Sequence, residues 1–448
     1  MDRKERRISR PVILWQKIRE AWLYNVGYLA APWRQRRYIR KLAGRERIRV
    51  VFVAVNMPMW KYQDLDFTLK ADSRFTVKVV LSPSMNFTDE QRQRDIEQMR
   101  RSFTESGVDY VDWDIEHGAE PVDIRKTLNP DIVFYAQPYH GVFHPRHQFL
   151  NFTDRLMAYY PYGFQQTRDK WLFDQVFCNV AWKVYYVNSC NADDARLYMR
   201  NRGRNVVIVG YPNADRYMAP GGKDVWKGGD RRRKRLIWAP HFTLANDGTA
   251  MSRSNFLAVS GLMLDLAERY ADRLQIAFKP HPGLFTELCK HPDWGEQRAR
   301  EYYRRWETME NTQLETGGFV ELFRGSDAMI HDCGSFVVDY LYFGKPVMYL
   351  TSDMEKTRSY GNAVCREAYD VHYAGNGGDD IVTFINNVVL GNDDPLAERR
   401  AAFYEKNLRT PGTGSVARNT YNDIVASLGM AERMKRQRKS NDNYHKSV

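Results

Sequence analysis

From residue 48 onward, short runs rich in β-branched and aromatic residues alternate with longer stretches in which apolar residues recur every three or four positions. Continuous apolar runs are typical of strands buried on both faces, and their alternation with helices is typical of parallel sheets. The pattern therefore predicts an α/β fold with two doubly wound, Rossmann-like sheets. The predicted strands are residues 48–55, 76–81, 131–136, 183–188, 206–210, 235–239, 275–279, 328–331 and 346–350.

A polar, turn-rich segment separates two groups of these strands. Residues 219–235 combine a proline, four glycines and a basic run, which is typical of a linker between domains. We therefore predict one Rossmann-like domain over residues 48–222 and a second over residues 223–430. In such proteins a ligand is expected in the cleft between the domains, at the carboxyl ends of the strands.

Residues 1–47 form a separate, basic segment. Its apolar side chains recur at spacings of three and four with polar side chains on the other side, which predicts an amphipathic helix. Residues 1–47 carry 14 Lys or Arg against 4 Asp or Glu, and residues 431–448 carry 6 against 2, so the two ends account for the net charge of +12. The apolar positions of the predicted helix are Leu14, Trp15, Ile18, Trp22, Val26 and Leu29.

Trp and Leu on one helix face, flanked by Arg and Lys clusters, are the composition of a helix that lies on an anionic membrane. We therefore predict peripheral attachment to the inner face of the plasma membrane through residues 1–47. One alternative is an arm packed on the body of the protein or on a second subunit. Another is contact with nucleic-acid phosphates, but no recognition motif supports it, and we expect no nucleic-acid partner. The polar tail, residues 431–448, is predicted to be disordered.

Length and composition exclude several classes of protein. The 448 residues are 43% hydrophobic and 27% charged, which suits two or three packed domains and excludes collagen-like and disordered chains. No stretch approaches the roughly 20 apolar residues of a membrane-spanning helix, and the N-terminus lacks the apolar run of a secretory signal, so we expect a cytoplasmic protein. The five cysteines form no CxxC pair, so we predict neither a zinc site nor a disulfide framework.

The segment from residue 325 to residue 350 is the most informative part of the sequence. A predicted strand ends at His331, a turn follows at Asp332 and Gly334, and a helix is expected to begin at Ser335. Small residues at a helix start let an anion approach free backbone N–H groups, and the helix dipole adds positive potential. The segment therefore predicts a seat for a phosphate or pyrophosphate. The alternative is that Gly334 and Ser335 only form a strand-to-helix turn.

Three further predicted strands end in residues that suit the binding of an anion. Lys279 and His281 follow one strand, and two prolines stiffen the backbone around His281. A cation and an imidazole at this edge can both face a phosphate. We expect all four strand ends to point towards one cleft. The other two carry His241 and the group Gly210, Asn213 and Asp215.

Segments 233–243, 279–282, 325–353 and 411–425 resemble the nucleotide-binding half of the CDP-glycerol glycerophosphotransferases, the teichoic-acid polymerase and primase family. The likeness includes the Lys-Pro-His-Pro turn and a block that begins with Ser326 and Asp327 and ends in Gly-Lys-Pro. The resemblance implies a GT-B architecture and a CDP-linked polyol donor. It further implies transfer of glycerol or ribitol phosphate to a hydroxyl of a lipid-linked glycan, with release of CMP and without a metal or other cofactor.

The resemblance also implies roles for individual residues. The family carries its catalytic base in a Trp-His-Gly-Thr-Pro-Leu-Lys motif, and His140 and Gly141 match its His-Gly pair, whereas Thr-Pro-Leu-Lys is missing here. His281 would contact the donor pyrophosphate, with Ser335 beneath it. Two alternatives stay open: a GT-B glycosyltransferase or related epimerase that uses a nucleotide sugar, and a non-catalytic, membrane-attached scaffold.

Overall fold

The structure of the chain is a computed structural model that describes residues 10–229, 232–244 and 254–430. The chain folds into two compact units. The first unit comprises the described residues of Met1–Gly163, Asp169–Asp215 and Thr410–Val448, and the second comprises those of Phe164–Arg168 and Arg216–Arg409. Each unit is built on one parallel sheet covered by helices, which confirms the predicted fold class.

The sheet of the first unit contains seven strands, all parallel to their neighbours. Phe52 and Phe134 lie at the centre of this sheet and are fully buried, as expected of strands covered on both faces. The strands are β1 (Ile48–Ala54), β2 (Phe75–Leu81), β3 (Tyr110–Val111), β4 (Ile132–Tyr135), β5 (Leu156–Tyr159), β6 (Lys183–Tyr186) and β7 (Val206–Ile208). Their order is β3-β2-β1-β4-β5-β6-β7, so the direction of winding reverses between β1 and β4.

Helices cover both the sheet and the N-terminal side of the first unit. Local sequence sets some of their ends: Thr88 and Gln91 form a capping box at one helix start, and Gly107 ends that helix with a left-handed φ of 70°. The α-helices are α1 (Arg10–Trp22), α2 (Tyr28–Leu42), α3 (Gln63–Lys70), α4 (Asp89–Ser106), α5 (Lys170–Phe173), α6 (Val176–Val180) and α7 (Ser189–Tyr198). Shorter 3-10 or π turns span Leu23–Gly27, Met57–Met59, Ile124–Leu128, His140–Val142 and Phe149–Phe152.

The second unit contains a six-stranded parallel sheet. Its strands are β8 (Lys234–Ala239), β9 (Leu274–Phe278), β10 (Thr312–Leu314), β11 (Ala328–His331), β12 (Val347–Leu350) and β13 (Tyr373–Gly375). Their order is β10-β9-β8-β11-β12-β13, so the winding reverses between β8 and β11. Trp238 and Trp306 are buried in the aromatic core beside the sheet, 5.5 Å apart between ring centroids.

The helices of the second unit follow the strands in alternation, as the sequence pattern predicts. A short helix, α8 (Ala214–Met218), spans the passage from the first unit to the second. The others are α9 (Phe256–Arg269), α10 (Leu284–Lys290), α11 (Gly295–Thr308), α12 (Val320–Gly325), α13 (Phe336–Asp339), α14 (Met354–Ser359), α15 (Ala363–Tyr369), α16 (Gly378–Thr383) and α17 (Ala397–Phe403). Shorter 3-10 or π turns span Lys227–Gly229, Tyr340–Phe343, Phe384–Leu390 and Tyr404–Leu408.

The C-terminal helix returns to the first unit, so the unit boundaries differ from the single division expected near residue 222. This helix, α18 (Val416–Ser427), is held by the carboxylate of Asp215, which accepts hydrogen bonds from the backbone N–H groups of Val416 and Ala417, both at 2.8 Å. Asp423 of the same helix pairs with Lys183 at 2.9 Å. The chain therefore passes from the first unit to the second and back.

The basic N-terminal segment is helical, as predicted, but it carries large apolar side chains on two faces instead of one. One face packs on the first unit: Leu23 and Ala31 join its buried core, and Tyr24 donates a hydrogen bond to Asp174 at 2.7 Å. The arm packed on the body, one of the alternatives above, is therefore present. The other face exposes seven large apolar side chains, each between 48% and 63% accessible, which we call the exposed stripe: Leu14, Trp15, Ile18, Trp22, Val26, Leu29 and Trp33.

Both terminal segments extend beyond the residues that the structure describes. Residues 1–9 of the basic segment lie outside the described residues, as does the whole tail 431–448, which is predicted to be disordered. Among the helices that are described, none is both long enough and apolar enough to cross a bilayer.

Candidate functional site

The reversal of winding in the second sheet marks its candidate site. In open α/β sheets, ligands bind at the carboxyl ends of the strands where the strand order reverses, which here is between β8 and β11. The loops that follow β8, β9 and β11 carry His241, His281 and Ser335 respectively. The sheet thus brings three of the predicted strand ends to one edge of one unit.

The two histidines of this edge lie against each other. The ring centroids of His241 and His281 are 4.8 Å apart, and the ring of Phe242 contacts both, with centroids at 4.4 and 4.5 Å. The backbone N–H of His281 donates to the carbonyl of Pro240 at 3.0 Å, which joins the loops after β8 and β9. The two imidazoles therefore form a fixed pair rather than two independent surface residues.

The hydrogen bonds of the pair define which nitrogen of His281 can donate. Nδ1 of His281 accepts from the backbone N–H of Gly283 at 3.1 Å, whereas Nδ1 of His241 lies 3.1 Å from the hydroxyl oxygen of Thr243 and 3.4 Å from its backbone nitrogen. In the neutral ring of His281 the proton therefore resides on Nε2. Burial lowers the pKa of His281, and burial together with the nearby His281 lowers the pKa of His241 to about 4. Both rings are neutral hydrogen-bond donors at physiological pH.

Asp332 was predicted to contact a ligand, and it instead holds the loops in place. Its buried carboxylate accepts from the backbone N–H groups of His241 at 2.5 Å and Asn255 at 2.7 Å, and from the hydroxyl of Ser254 at 3.2 Å. Burial raises the pKa of Asp332 to about 6, although these hydrogen bonds act in the opposite direction. Asp332 is therefore a positioning residue for the histidine pair.

The turn after β11 leaves backbone donors available. In the part of the chain that the structure describes, the N–H groups of Gly334 and Ser335 have no acceptor, and the side chain of Ser335 is exposed. The carbonyl of Gly334 accepts from the side-chain amide of Gln166 at 2.7 Å, which fixes the turn.

The helix after this turn is shorter than predicted. Its α-helical part, Phe336–Asp339, has four residues, followed by the 3-10 turn Tyr340–Phe343, and Gly344 ends it with a left-handed φ of 67°. A single α-helical turn supplies little macrodipole, so the expected dipole contribution to anion binding is overestimated. What remains is local: two backbone N–H groups, a hydroxyl and the histidine pair.

Lys279 is placed at the predicted edge, but its ammonium group is occupied. The side chain is buried and donates to the carbonyl of Gly317 at 2.8 Å, and burial lowers its pKa. Its backbone N–H donates to the carbonyl of Trp238. Lys279 therefore links the loops after β9 and β10, and we do not count it as a phosphate contact.

Ser326 and Asp327 lie at the opposite edge of the sheet, because they precede β11 whereas the histidine pair follows β8 and β9. Asp327 accepts from the backbone N–H of Arg235 at 2.7 Å, and the hydroxyl of Ser326 hydrogen-bonds with Tyr340 at 2.7 Å. The ammonium of Lys345 donates to the carbonyls that end α12. This motif stabilises the amino end of the strand, and the structure does not bring it to the candidate site.

The residues after β7 belong to the first unit and also have structural partners. Asp215 caps α18, as described above, and the buried side chain of Asn213 donates to the hydroxyl of Tyr211 at 3.1 Å. Gly210 has a φ of 102°, and a Cβ there would lie 3.0 Å from Thr410 and Val416. These residues anchor the returning C-terminal chain. They follow a strand of the first sheet, whereas His281 follows a strand of the second, so they do not share a sheet edge with it.

His140 lies at the corresponding position of the first sheet. The order of that sheet reverses between β1 and β4, and the 3-10 turn His140–Val142 follows β4 at its carboxyl end. The carbonyl of Val142 accepts from the backbone N–H of Met85 at 2.8 Å, which joins this turn to the loop after β2. The backbone of His140 is thus placed where doubly wound sheets bind ligands.

Sequence reasoning missed three residues that shape the candidate site. Phe242 packs against both imidazoles, Asn255 donates its N–H to Asp332, and the side-chain amide of Gln166 donates to the carbonyl of Gly334 across 168 positions of the chain. Only Phe242 had a local signal, since it directly follows His241. The other two approach through folding, and no motif indicates them.

The cysteines and the potential metal ligands of the described residues form neither disulfides nor a metal-binding cluster. All five cysteines are free, with Cys178, Cys333 and Cys365 buried. Among the described residues, no group of three or more His, Cys, Asp and Glu side chains has the geometry of a metal site.

The fold is shared with solved structures of low sequence identity. UDP-N-acetylglucosamine 2-epimerase matches with a TM-score of 0.55 and 12% identity over 86% of this chain and 97% of its own. The complex of S. aureus MnaA with UDP gives 0.53 and 13%, with the same two coverages. The wall teichoic acid polymerase TagF gives 0.52 and 11%, over 95% of this chain and 100% of its own.

These similar proteins have two Rossmann-like domains of the GT-B type, which confirms the GT-B assignment of the fold. At this level of identity the likeness concerns the fold, and the chemistry must be argued from the residues. No protein-family model matches the sequence, and a search of curated proteins finds no match.

Proposed function

We propose that the protein is a transferase that moves a polyol phosphate, such as glycerol or ribitol phosphate, from a CDP-activated donor to a hydroxyl of a lipid-linked glycan. The observation that carries this proposal is the pair of neutral histidines at the reversal point of the second sheet, whose neighbouring strand β11 leads into the N–H groups of Gly334 and Ser335. This set of uncharged donors suits the diphosphate of an activated nucleotide. The TagF-like fold and the resemblance noted in the sequence support the same class of reaction.

In the proposed reaction the second unit holds the donor. The Nε2–H group of His281, the imidazole of His241 and the N–H groups of Gly334 and Ser335 would donate hydrogen bonds to the diphosphate oxygens. As CMP departs, negative charge grows on the oxygen that bridged the two phosphates, and these fixed donors stabilise it. Asp332 acts through His241, because it orients the loop without touching the ligand.

The acceptor side of the reaction is assigned to the first unit. The hydroxyl oxygen of the acceptor attacks the β-phosphorus and forms a new P–O bond, while the bond from that phosphorus to the bridging oxygen breaks and CMP leaves. His140 takes the proton of the attacking hydroxyl, because an imidazole can act as a general base at neutral pH.

We further propose that the exposed stripe attaches the protein to an anionic membrane surface at the inner face of the plasma membrane. Its seven large apolar side chains remain exposed although the opposite helix face is packed on the first unit. Large exposed apolar patches mark interaction sites, and cationic side chains stand over its rings, as Arg19 does over Trp15 and Arg37 over Trp33. This location would place the enzyme beside a lipid-linked acceptor.

A panel of activated donors tests the proposed reaction. The protein is incubated with CDP-glycerol, CDP-ribitol and UDP-N-acetylglucosamine, each with a lipid-linked glycan acceptor, and CMP, UDP and epimerised sugar are measured. Release of CMP together with a lengthened acceptor is the expected result. Consumption of the UDP-sugar alone would instead establish the nucleotide-sugar glycosyltransferase or epimerase, and no turnover of any donor would favour the scaffold.

A further inference from the structure

A cavity of about 350 Å³ opens on the first unit, and neither the fold nor the proposed reaction uses it. Helix α2 forms one wall, and residues at the amino ends of β6 and β7, including Lys183 and Arg204, form another. His140 follows the carboxyl end of β4, so the cavity lies at the opposite edge of the parallel sheet from the proposed catalytic residue. It is therefore a separate site.

The lining of the cavity is cationic. It contains Arg36, Lys183 and Arg204, and it contains no Asp or Glu. Lys183 is paired with Asp423 at 2.9 Å, but within the described part of the chain neither guanidinium has a carboxylate within salt-bridge distance. Arg36 and Arg204 are both exposed. The cavity thus offers two uncompensated guanidinium groups, which suit bidentate binding of a phosphate.

The cavity adjoins the exposed stripe. Leu29 belongs to both, since it is part of the stripe and also lines the cavity. Arg36 follows Leu29 and Trp33 at spacings of seven and three residues, so these three side chains share one face of α2. A stripe that enters the interfacial layer of a bilayer would bring the cavity to the level of the lipid headgroups.

We propose that this cavity binds the phosphate headgroup of an anionic membrane phospholipid. Arg36 and Arg204 would bind the phosphate oxygens, and the apolar side chains of Tyr28, Ile39 and Trp182 would contact the glycerol and the first acyl carbons. Its volume is at the small end of ligand pockets, which suits a glycerophosphate group rather than a whole lipid. The inference rests on the proposed membrane attachment and adds a specific lipid site to it.

Vesicle partitioning of matched variants tests the site. The full-length protein, the R36Q/R204Q double variant and a K41Q/R202Q control are compared on phosphatidylcholine vesicles with and without 30% phosphatidylglycerol. The control removes two charges from the same helix and loop, at exposed residues outside the cavity lining. Loss of a surface charge alone weakens binding to anionic vesicles, so the control measures that effect. The cavity variant is expected to lose at least tenfold more affinity than the control, and equal losses would overturn the proposal.

A soluble lipid distinguishes a headgroup from free phosphate. Calorimetric titration with dioctanoyl phosphatidylglycerol, below its critical micelle concentration, is expected to give saturable binding that the R36Q/R204Q variant lacks. Inorganic phosphate is expected to bind at least tenfold more weakly. Binding of inorganic phosphate as tight as that of the lipid would assign the cavity to a free anion and contradict the proposal. Neither measurement requires turnover, so failure here is distinguishable from failure of the proposed transferase reaction.

Discussion

The buried carboxylate of Asp332 accepts a hydrogen bond from the backbone N–H of His241, at 2.5 Å, and thereby joins the loop after β11 to the loop after β8. The same carboxylate accepts the N–H of Asn255. An aspartate that sequence reasoning assigned to ligand contact therefore sets the geometry of the histidine pair. Asp332 therefore belongs to the residues that position the histidine pair, and the histidines to those proposed to contact the CDP-linked substrate.

The Asp332→Asn variant tests the positioning role. An amide has one oxygen fewer to accept the N–H groups of His241 and Asn255, so we expect the variant to bind CDP-glycerol at least tenfold more weakly and to lose about 1–3 kcal/mol of stability. Calorimetric titration and thermal unfolding provide the two values. Asp327→Asn is the matched control, because Asp327 accepts the backbone N–H of Arg235 at the other edge of the sheet. It should lose stability but retain donor affinity, and an equal loss of affinity in both variants would remove Asp332 from the account.

Most of the fold is predictable from hydrophobic pattern alone. All nine predicted strands are present within one or two residues at each end, because each is rich in apolar residues and most are buried over the greater part of their length. The four missed strands have weak patterns: Tyr110–Val111 has two residues, Leu156–Tyr159 has no β-branched side chain, Thr312–Leu314 contains polar residues that are buried, and Tyr373–Gly375 ends in glycine.

The candidate site was predictable only in part, for a physical reason. Position after a strand places His241, His281 and Ser335 at one edge, and this follows from the sequence. The same rule cannot tell which polar groups already have a hydrogen-bond partner. Lys279 donates to the carbonyl of Gly317, and the carboxylate of Asp215 accepts from the backbone of α18. These partners come from distant parts of the chain, so no local spacing of residues predicts them.

His281 is expected to be the strongest single contributor to donor turnover in the second unit. Removal of a fixed hydrogen-bond donor to the reacting phosphates by His281→Ala should lower kcat/KM for CDP-glycerol about 100-fold. His281→Gln restores an N–H donor and should recover part of that loss. His291→Ala, a histidine of the same unit outside the site, serves as the control and should stay within about threefold of the unaltered protein. If His281→Ala behaves like His291→Ala, the diphosphate is bound elsewhere.

Donor affinity should vary little with pH. Burial lowers the pKa of both His241 and His281 below the usual value of a histidine, so both rings stay neutral from about pH 8 down to about pH 7. The dissociation constant of CDP-glycerol should therefore change less than about threefold over this interval, as measured by titration calorimetry. Tightening by tenfold or more on acidification would indicate an imidazolium contact and contradict the neutral-donor account.

His147 should make the stability of the first unit depend on pH. This buried histidine bonds to Ser82 and to the carbonyl of Val122, and burial lowers its pKa to about 4. Because its pKa is lower in the folded than in the unfolded chain, its stabilising contribution is complete above about pH 6.5 and decreases as the pH falls towards 4.

The corresponding measurement compares thermal unfolding of the unaltered protein and the His147→Gln variant at pH 7 and pH 5. Glutamine replaces both hydrogen bonds without a titrating group. We expect the unaltered protein to lose about 2 kcal/mol more than the variant over this interval. Parallel losses in the two proteins would show that His147 does not titrate in this way.

Substitutions within the exposed stripe should reduce membrane binding without disturbing the packed face. Deletion of the whole segment would also remove the buried side chains of Leu23 and Ala31, so point variants are the better test. The Trp15→Ser/Trp33→Ser variant should partition into vesicles containing 30% phosphatidylglycerol about tenfold or more weakly, because two large apolar rings no longer enter the interface. Trp171→Ser removes an exposed tryptophan outside the stripe and should bind normally. Unchanged partitioning of the double variant would exclude the stripe as the membrane contact.

The central claim is that the loops after β8, β9 and β11 bind the diphosphate of a CDP-linked donor. A structure of the full-length protein with CDP-glycerol is the most direct test. The account predicts diphosphate oxygens at about 3 Å from Nε2 of His281 and from the backbone nitrogen of Ser335. A nucleotide bound away from both groups would contradict it.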